Sequence, residues 1–353
     1  MDSDHGSYRT EKINEEVPMT KTKSAAHPDA AQTTFSACII EKYTMFKMLF
    51  IFFIMTGSTL FGQLEDHFKK ITDKSNFHQI RNVDFIYMIN LDQRPEKYIH
   101  TIEELAPFGI VPYRFSAVNG WELSFEELNQ VGVKYERWMR NELMGTCYLP
   151  EYHKEPLHEI MHIPERNYFC HCMSLGAIGI ALSHLSILKD AYDSGYQTIW
   201  VMEDDIEIIR DPHLISDLIS KLDLLVGREN WDFLFTDQDT KGQNGAYVPC
   251  TGAALRPNFN PINPYKFQER VDISEDFRKV GARYGAYSVI VSRSGMKKIL
   301  DFTQDGIFLP YDMEYTLPDN IHMYTVREDV VSTQPNALSD NGAPNYKHKL
   351  IQN

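Results

Sequence analysis

The chain has 353 residues, of which 43% are hydrophobic and 24% are charged, and these are ordinary values for a globular protein. This length allows one large α/β domain or two smaller ones. The formal net charge of −14 argues against a nucleic-acid-binding protein, which normally presents a basic face to phosphate, so we expect no nucleic-acid partner.

The N-terminal part of the chain has two segments of contrasting composition. Residues 1–44 are polar and without hydrophobic periodicity, which predicts a disordered or non-native extension. Residues 45–62 carry one Lys, then an apolar run, then small residues, which is typical of a secretory signal peptide that starts at Met45. A short membrane anchor and a buried helix are the alternatives, because the run is short for a spanning helix. An exported protein would lie in a secretory lumen or associate with a membrane, and otherwise it would be cytoplasmic.

The first regular pattern follows a polar lead-in over residues 63–82. An apolar strand over residues 83–90 ends in Asn90, and an amphipathic helix and a second strand over 113–118 come next. This β-α-β order favours a parallel sheet with a right-handed crossover. Asn90 and Arg94 would then lie at the carboxyl end of the first strand, where a ligand can reach them.

Residues 133–172 lack a periodic pattern, and we predict an irregular insertion that covers the site. Its histidines are too unevenly spaced for a compact metal-ligand set: His153, His158, His162 and His171. None of the five cysteines forms a CxxC pair, and Cys170-His171-Cys172 is too tight for a standard zinc site. If the protein is exported, one disulfide between cysteines of residues 147–172 is a further alternative.

A helix is predicted from Ser174 to Tyr192, because Ser174 can cap it and apolar residues recur at helical spacing. Gly176 and Gly179 are poor helix-interior residues, so they indicate close approach of backbone or ligand. His184 lies within this helix and is either a core residue or part of a binding wall.

The strongest chemical signal is the stretch from Ile199 to Asp205, in which an apolar strand runs into three consecutive carboxylates. Buried anions repel each other and are costly unless paired, whereas ligands of open α/β sheets bind beyond the carboxyl ends of strands. If extended geometry continues, Glu203 and Asp205 point to one side and are suited to a divalent cation. The simpler alternative is an acidic end to a strand without a ligand.

The remaining elements alternate between helix and strand. The sequence predicts a helix over 211–227 that starts at Asp211-Pro212, a strand over 231–237 that ends in Asp237, and a loop-rich stretch over 238–282. A strand over 284–292, a helix over 294–302 and a turn that leads to Asp312 follow. The last elements are a strand over 321–326 and a polar tail from Ser332 that ends with residues 341–353.

Four blocks together resemble glycosyltransferase family 25, which includes bacterial lipooligosaccharide galactosyltransferases and collagen hydroxylysine galactosyltransferases. These blocks are Ile86–Arg94, Phe115–Gly120, Gly176–His184 and Trp200–Asp205, and Tyr284–Leu300 also fits the family pattern. The resemblance defines a glycosyltransferase domain over residues 83–340, from which the insertion 133–172 departs. Asn119 stands where the family usually has Asp, so this position accepts hydrogen bonds but carries no charge.

The resemblance implies an α/β, GT-A-like fold with a Rossmann-type, mostly parallel sheet flanked by helices. It also implies inverting transfer of a hexose, galactose or glucose, from a UDP-sugar to a hydroxyl of a glycan, as in lipopolysaccharide biosynthesis, or of a protein. Mn²⁺ or Mg²⁺ held by Glu203 and Asp205 would neutralise the leaving diphosphate. The residues expected to bind or orient the donor are Asn90, Arg94, Asn119, Gly176, Gly179, Ser183, His184 and Asp204.

An inverting transfer needs a general base on the acceptor hydroxyl. Asp312 is the first candidate, because its Pro-x-Asp context resembles an acidic position of the collagen enzymes, and Asp237 is the second. Two other functions remain open. One is a metal-dependent phosphoesterase that uses Glu203, Asp205 and Asp237, and the other is a glycosyltransferase-like binding protein without catalysis.

Overall fold

The structure is a computed structural model that describes residues 64–152, 155–241, 246–250, 252 and 254–334. The chain divides into residues 1–60 and 61–353, and every described residue belongs to the second unit. The expectations for residues 1–44, 45–62 and 341–353, and for His153, lie outside the described residues. No helix within these described ranges is long and apolar enough to cross a lipid bilayer.

The described residues form six α-helices and fourteen strands. The helices are α1 (Pro95–Leu105), α2 (Phe125–Val131), α3 (Leu175–Asp193), α4 (Leu214–Val226), α5 (Arg293–Thr303) and α6 (Tyr311–Glu314). The strands are β1 (Phe85–Asn90), β2 (Tyr113–Ser116), β3 (Val133–Lys134), β4 (Met144–Tyr148), β5 (Pro156–Ile160), β6 (Asn167–Cys170), β7 (Thr198–Glu203), β8 (Ile206–Ile208), β9 (Phe233–Phe235), β10 (Arg270–Asp272), β11 (Phe277–Val280), β12 (Ser288–Ser292), β13 (Met323–Val326) and β14 (Val331–Thr333).

One eight-stranded sheet, in the order β10-β11-β13-β9-β12-β7-β1-β2, organises the fold. Strand β1 pairs in parallel with both β2 and β7, and β9 pairs in parallel with β13. Between these groups β12 runs antiparallel to β7 and β9. The carboxyl ends of β1, β7 and β9 therefore meet at the same edge of the sheet as the amino end of β12. The predicted α/β fold with a Rossmann-type sheet flanked by helices is confirmed, but the sheet is mixed, because three of its described strand pairings are parallel and four are antiparallel.

The two faces of this sheet pack against different helices. Along β1, Tyr87 belongs to the cluster that contains α3, whereas Met88 belongs to the cluster that contains α1 and α4. Both side chains are fully buried, because successive residues of a central strand point to opposite covered faces. This double burial explains why the strand is a continuous apolar run in the sequence.

Two segments contain more regular structure than the sequence predicts. The insertion 133–172, expected to be irregular, contains a four-stranded sheet in the order β3-β6-β4-β5. The stretch 238–282, expected to be loop-rich, contains β10 and β11, which form an antiparallel hairpin at the end of the main sheet. The prediction of an irregular insertion was wrong, whereas the described part of 238–282 is mostly loop, as expected, and only its hairpin was missed. The strands of both segments escaped prediction for the same reason. These strands are short, and β5 and β10 mix half-buried with exposed positions, so no apolar run marks them.

Several predicted boundaries also shift, and three of the shifts are the following. Strand β7 ends at Glu203, and Asp204 and Asp205 form a turn, so extended geometry does not continue through the acidic triplet. Helix α4 begins at Leu214 rather than at Asp211, because the backbone bonds of Leu214 to Asp211 and of Ile215 to Pro212 close three-residue turns first. The tail expected from Ser332 instead contributes to β14, which pairs with β8.

Candidate functional site

The carboxyl ends of β1 and β7 place the amide of Asn90 beside the acidic triplet. In the parallel register Ile89 lies opposite Glu203. Asn90 is fully buried, and its Nδ2 donates to Asp204 Oδ2 at 2.6 Å and to Arg94 O at 2.9 Å. Its Oδ1 accepts from Arg114 Nε at 2.8 Å. This amide therefore connects the two strand ends and sets the position of the Asp204 carboxylate.

A cavity with an empty volume of about 650 Å³ opens over these strand ends. Its polar and charged lining side chains are Asn90, Lys97, Ser183, His184, Glu203, Asp204 and Asp205. Val118, Gly120, Trp121 and Gly176 also line the wall. The sequence anticipated seven of the fifteen described lining residues: Asn90, Gly176, Ser183, His184, Glu203, Asp204 and Asp205.

Helix α3 forms one wall of the cavity by packing closely on the turn after β2. A Cβ atom on Gly179 would lie 2.4 Å from Val118 O and 2.7 Å from Gly120 N, so only glycine allows this approach. Ser183 Oγ donates to Gly179 O at 2.7 Å and accepts the Val118 N–H at 2.8 Å. Gly179 and Ser183 therefore hold the turn against the helix, and Ser183 also borders the cavity.

His184 joins α3 to the acidic strand end. Its Nε2 lies 3.3 Å from Glu203 Oε1, and its ring stacks on Tyr311 with centroids 4.1 Å apart. His184 is 1% exposed, whereas the Glu203 side chain is 29% exposed. The histidine thus orients the Glu203 carboxylate from behind and leaves it open to the cavity.

The acidic triplet has the electrostatics of a cation site. Burial, with the negative charge of Glu203 as the next cause, raises the pKa of Asp205 to about 7. The Asp205 Oδ1 atom is buried and has no hydrogen-bond partner in the structure. Such an orphaned oxygen beside a second carboxylate fits a hard divalent cation, which would relieve the repulsion. In the described part of the chain no group of three or more His, Cys, Asp or Glu side chains forms a metal-binding set, so other ligands would come from substrate and water.

Asp204 has a different environment from its neighbour. Burial raises its pKa, and this is opposed by the charge of Lys97, whose Nζ lies 3.8 Å from Asp204 Oδ1, and by the Asn90 hydrogen bond. The Asp204 backbone carbonyl also accepts from Thr101 Oγ1 at 3.0 Å. These contacts fix Asp204 within the protein, which suits a structural or orienting role.

A second cavity adjoins the first and contains Asp312. Its empty volume is about 550 Å³, and it shares Ile180 and Glu203 with the first cavity. Asp312 lies at the start of α6 and accepts the Gly285 N–H at 2.9 Å through Oδ2. Burial raises the pKa of Asp312 and thereby makes its carboxylate more basic.

Asp237, the second candidate base, lies in a closed environment. It forms an ion pair with Arg283, and both side chains are 0% exposed. Its Oδ2 also accepts from Tyr287 Oη at 2.5 Å and from Ser332 Oγ at 2.9 Å. Asp237 lines neither cavity in the described structure, so we assign it to the core rather than to the chemistry.

Three expected donor-binding residues, Arg94, Asn119 and Gly179, lie beside the cavity without lining it. Asn119 Nδ2 donates to Glu122 Oε1 at 2.9 Å, and its Oδ1 accepts the Trp121 N–H at 3.2 Å. Arg94 Nε contacts Glu96 Oε1 at 2.6 Å. Asn119 thus stabilises the turn that presents Gly120 and Trp121 to the cavity.

The lining residues that the sequence reasoning missed include Lys97, Trp121 and Tyr311. Lys97 lies one turn into α1, where a lone Lys in an amphipathic helix is usually a solvent-exposed residue. Its side chain is only 14% exposed. Lys97 lies in the first turn of the helix that follows β1, three residues after Arg94. This position close to the end of β1 could have indicated that Lys97 belongs to the site.

Among the described residues, the cysteines do not take part in a metal-binding group of three or more side chains. Cys147, Cys170, Cys172 and Cys250 are free thiols, and no disulfide joins the cysteines of residues 147–172 in this structure. We expected that the four histidines of the insertion do not form a compact set of metal ligands. This expectation stays a prediction, because His153 lies outside the described residues.

Comparison with known proteins places this geometry in a family. The model of "Glycosyltransferase family 25 (LPS biosynthesis protein)" matches residues 83–314. A glycosyltransferase 25 family member of Aedes aegypti is 30% identical over 153 residues, which are 43% of this chain and 21% of the relative. One of Drosophila melanogaster is 27% identical over 172 residues, covering 49% and 24% of the two chains.

A third relative, from Anopheles gambiae, is 23% identical over 231 residues, which are 65% of this chain and 31% of the relative. The matched region thus spans between a fifth and a third of the length of these curated relatives. The family match covers more than half of the 353 residues and includes the strand ends, α3 and Asp312. The chain therefore belongs to glycosyltransferase family 25, as its sequence blocks indicated.

Proposed function

We propose that this chain transfers a hexose from a UDP-sugar to a hydroxyl acceptor, with inversion at the anomeric carbon and with assistance from a divalent cation. The observation that carries the proposal is the pair of adjoining cavities that share Glu203. One cavity contains the Asp205 oxygen without a partner, and the other contains Asp312. The first is suited to the donor diphosphate and the second to the acceptor.

The donor cavity needs positive charge to bind a diphosphate, because three carboxylates line it. Glu203 and Asp205 supply hard oxygen ligands for Mn²⁺ or Mg²⁺. When bound, such a cation stabilises the negative charge that develops on the departing UDP. Lys97 provides a second positive charge at the same wall, 3.8 Å from Asp204.

The acceptor cavity needs a proton acceptor for the attacking hydroxyl. Asp312 takes this proton in the proposed mechanism, and the Gly285 N–H holds its carboxylate in place at 2.9 Å. His184 and Tyr311 keep Glu203 between the two cavities, so that it separates donor from acceptor. Inversion follows if the acceptor attacks from the face opposite the diphosphate.

The donor sugar we propose is galactose or glucose. The acceptor is a glycan hydroxyl, in keeping with the lipopolysaccharide wording of the matched family, or a protein hydroxyl. We further propose that residues 45–62 act as a signal peptide or anchor, so that the domain works in a secretory lumen or at a membrane. A protein acceptor suits this location.

A donor screen on the full chain tests the proposed reaction. Purified protein is given UDP-galactose and UDP-glucose with and without Mn²⁺, and UDP and free sugar are measured separately. We expect metal-dependent UDP release that is abolished in Asp205→Ala and retained in Asp301→Ala, whose carboxylate lies in an exposed pair with Lys297. Unchanged turnover in Asp205→Ala, or in excess chelator, would contradict the metal role.

Two outcomes would favour the other candidate functions. Release of inorganic phosphate without sugar transfer would indicate a phosphoesterase. A thermal shift with UDP and Mn²⁺ but no turnover on any donor would indicate a binding protein.

A further inference from the structure

We propose that Cys170 and Cys172 form a reversible thiol–disulfide couple, in which Cys172 reacts first with a small-molecule disulfide and Cys170 resolves the adduct. The two sulfur atoms lie 2.7 Å apart at the end of β6. A covalent disulfide needs about 2.05 Å, so closure asks for a movement of only about 0.7 Å. This inference concerns thiol chemistry and does not depend on the proposed transfer reaction.

The backbone holds the two cysteines in one tight turn. The Cys170 N–H donates to Phe308 O at 2.8 Å, and the Met173 N–H donates to Cys170 O at 3.0 Å. Phe308 belongs to the segment that leads into Asp312 and α6. The turn is therefore anchored on both sides, which keeps the sulfurs adjacent without a covalent bond.

The two thiols differ in accessibility, and this difference assigns their roles. Cys172 is exposed, whereas Cys170 is buried at 5% exposure. Only Cys172 can therefore meet a disulfide from solvent. Cys170 lies directly behind it, in the position of a resolving thiol that attacks from within the protein.

The surroundings also favour a thiolate at Cys172. Contact with the Cys170 thiol is the main cause that lowers the pKa of Cys172 to about 7, and the same contact raises the pKa of Cys170. Cys172 also precedes Ser174, which caps the 19-residue helix α3, and a helix N-terminus stabilises nearby negative charge. The Asp312 carboxylate acts in the opposite direction and raises the pKa of Cys172.

The proposed chemistry is a two-step exchange with a disulfide such as oxidised glutathione. The Cys172 thiolate attacks one sulfur, which forms a mixed disulfide and releases one glutathione thiolate. The Cys170 thiol then loses its proton to solvent and attacks Cys172 Sγ, which forms the Cys170–Cys172 bond and releases the second glutathione thiolate. The protein dithiol loses two electrons and two protons, and oxidised glutathione gains them as two thiols.

Glutathione buffers of defined ratio, followed by alkylation and mass spectrometry, test this assignment on the full chain. Cleavage after Arg166 and Lys189 gives one peptide that contains both cysteines and no other. In oxidising buffer we expect this peptide to lose two hydrogens and to resist alkylation, and a reductant should reverse both changes. Cys147 and Cys250, which are buried and lack a neighbouring thiol among the described residues, serve as internal controls that stay reduced.

Two variants separate the roles of the thiols under native conditions. Cys170→Ser should accumulate a glutathione adduct at position 172, because no resolving thiol remains. Cys172→Ser should form an adduct at Cys170 at least tenfold more slowly, because Cys170 is buried. Full alkylation of both cysteines in the oxidising buffer, or equal adduct rates in the two variants, would overturn the proposal. If a variant fails to fold, the time course of the unmodified chain decides, since a mixed disulfide at Cys172 must precede the internal bond.

Discussion

Asn90 Nδ2 donates to Asp204 Oδ2 at 2.6 Å, and this bond ties the end of one parallel strand to the acidic turn after its neighbour. Asn90 is fully buried, so the amide cannot exchange its partners for water. The bond explains how a triplet of carboxylates is kept in one arrangement. Asp204 is held by the protein, whereas Glu203 and Asp205 are the carboxylates that we propose for the cation.

Asn90→Ala should therefore destabilise the protein by about 2–3 kcal/mol, since a buried charged group and the Arg114 guanidinium lose a partner together. Urea unfolding with circular dichroism measures this change. The exposed Asn230, whose Nδ2 donates to Val226 O at 2.8 Å, is the matched control, and Asn230→Ala should stay within about 0.5 kcal/mol. Equal values for the two variants would contradict a connecting role for Asn90.

Ser183 and Ser186 allow a controlled test of the α3 wall. Each hydroxyl donates to the carbonyl four residues earlier and accepts one backbone N–H, from Val118 for Ser183 and from Lys69 for Ser186. Ser183→Ala and Ser186→Ala should each cost about 1–3 kcal/mol, because a backbone donor is left without its partner. Only Ser183→Ala should also weaken UDP binding, since Ser186 lies away from the cavity lining. Calorimetric titration with UDP and Mn²⁺ decides this, and equal losses in both variants would show that the wall is not specific to the site.

The buried pair of Asp237 and Arg283 should behave as a structural element. Asp237→Ala leaves a fully buried guanidinium without its counter-ion, and we expect a loss of about 3–5 kcal/mol. Asp301→Ala, in an exposed pair with Lys297, should change stability by about 0.5 kcal/mol or less. Chemical denaturation measures both. UDP release per folded molecule should persist in Asp237→Ala at a temperature where it remains folded, and its complete loss there would restore Asp237 as a base.

The raised pKa of Asp312 predicts a pH dependence of turnover. A base must be ionised to accept a proton, so activity should fall as pH decreases through the pKa of this carboxyl. Because burial raises that pKa, the acid limb of the kcat/KM profile should lie above the ordinary carboxyl range of about 4. A limb at or below that range would argue against Asp312.

Asp312→Asn provides the companion measurement. It keeps an acceptor for the Gly285 N–H but cannot take a proton, so UDP binding should be retained while transfer falls by about 10²–10⁴-fold. Titration of UDP and single-turnover kinetics separate the two effects. A parallel loss of binding and transfer would instead indicate a structural role.

Local pattern was sufficient for the elements that are buried or capped. The apolar runs of β1 and β7 predicted strands because both faces of the central sheet are covered, and Ser174 marked the start of α3 through its bond from the Ala177 N–H at 3.0 Å. The acids that follow β7 indicated a site, because charge at a buried strand end needs a partner. The short strands of the insertion and of the β10–β11 hairpin escaped notice, since their pairing partners lie far along the chain or on a partly exposed edge.

The sequence by itself determined the α/β framework, the family and the acidic strand end, because each depends on residues that are close together in the chain. Only the tertiary structure decided which acidic residues lie in the core and which line a cavity. Asp237 and Asp312 both follow apolar runs in the sequence. Asp237 is buried in an ion pair with Arg283, whereas Asp312 accepts the Gly285 N–H and lines a cavity. Lys97 became part of the site in the same way, because packing of α1 beside the β1 end brings its ammonium group to Asp204. A charge acquires its role from the partners that the fold brings within a few ångströms, and those partners are distant in sequence.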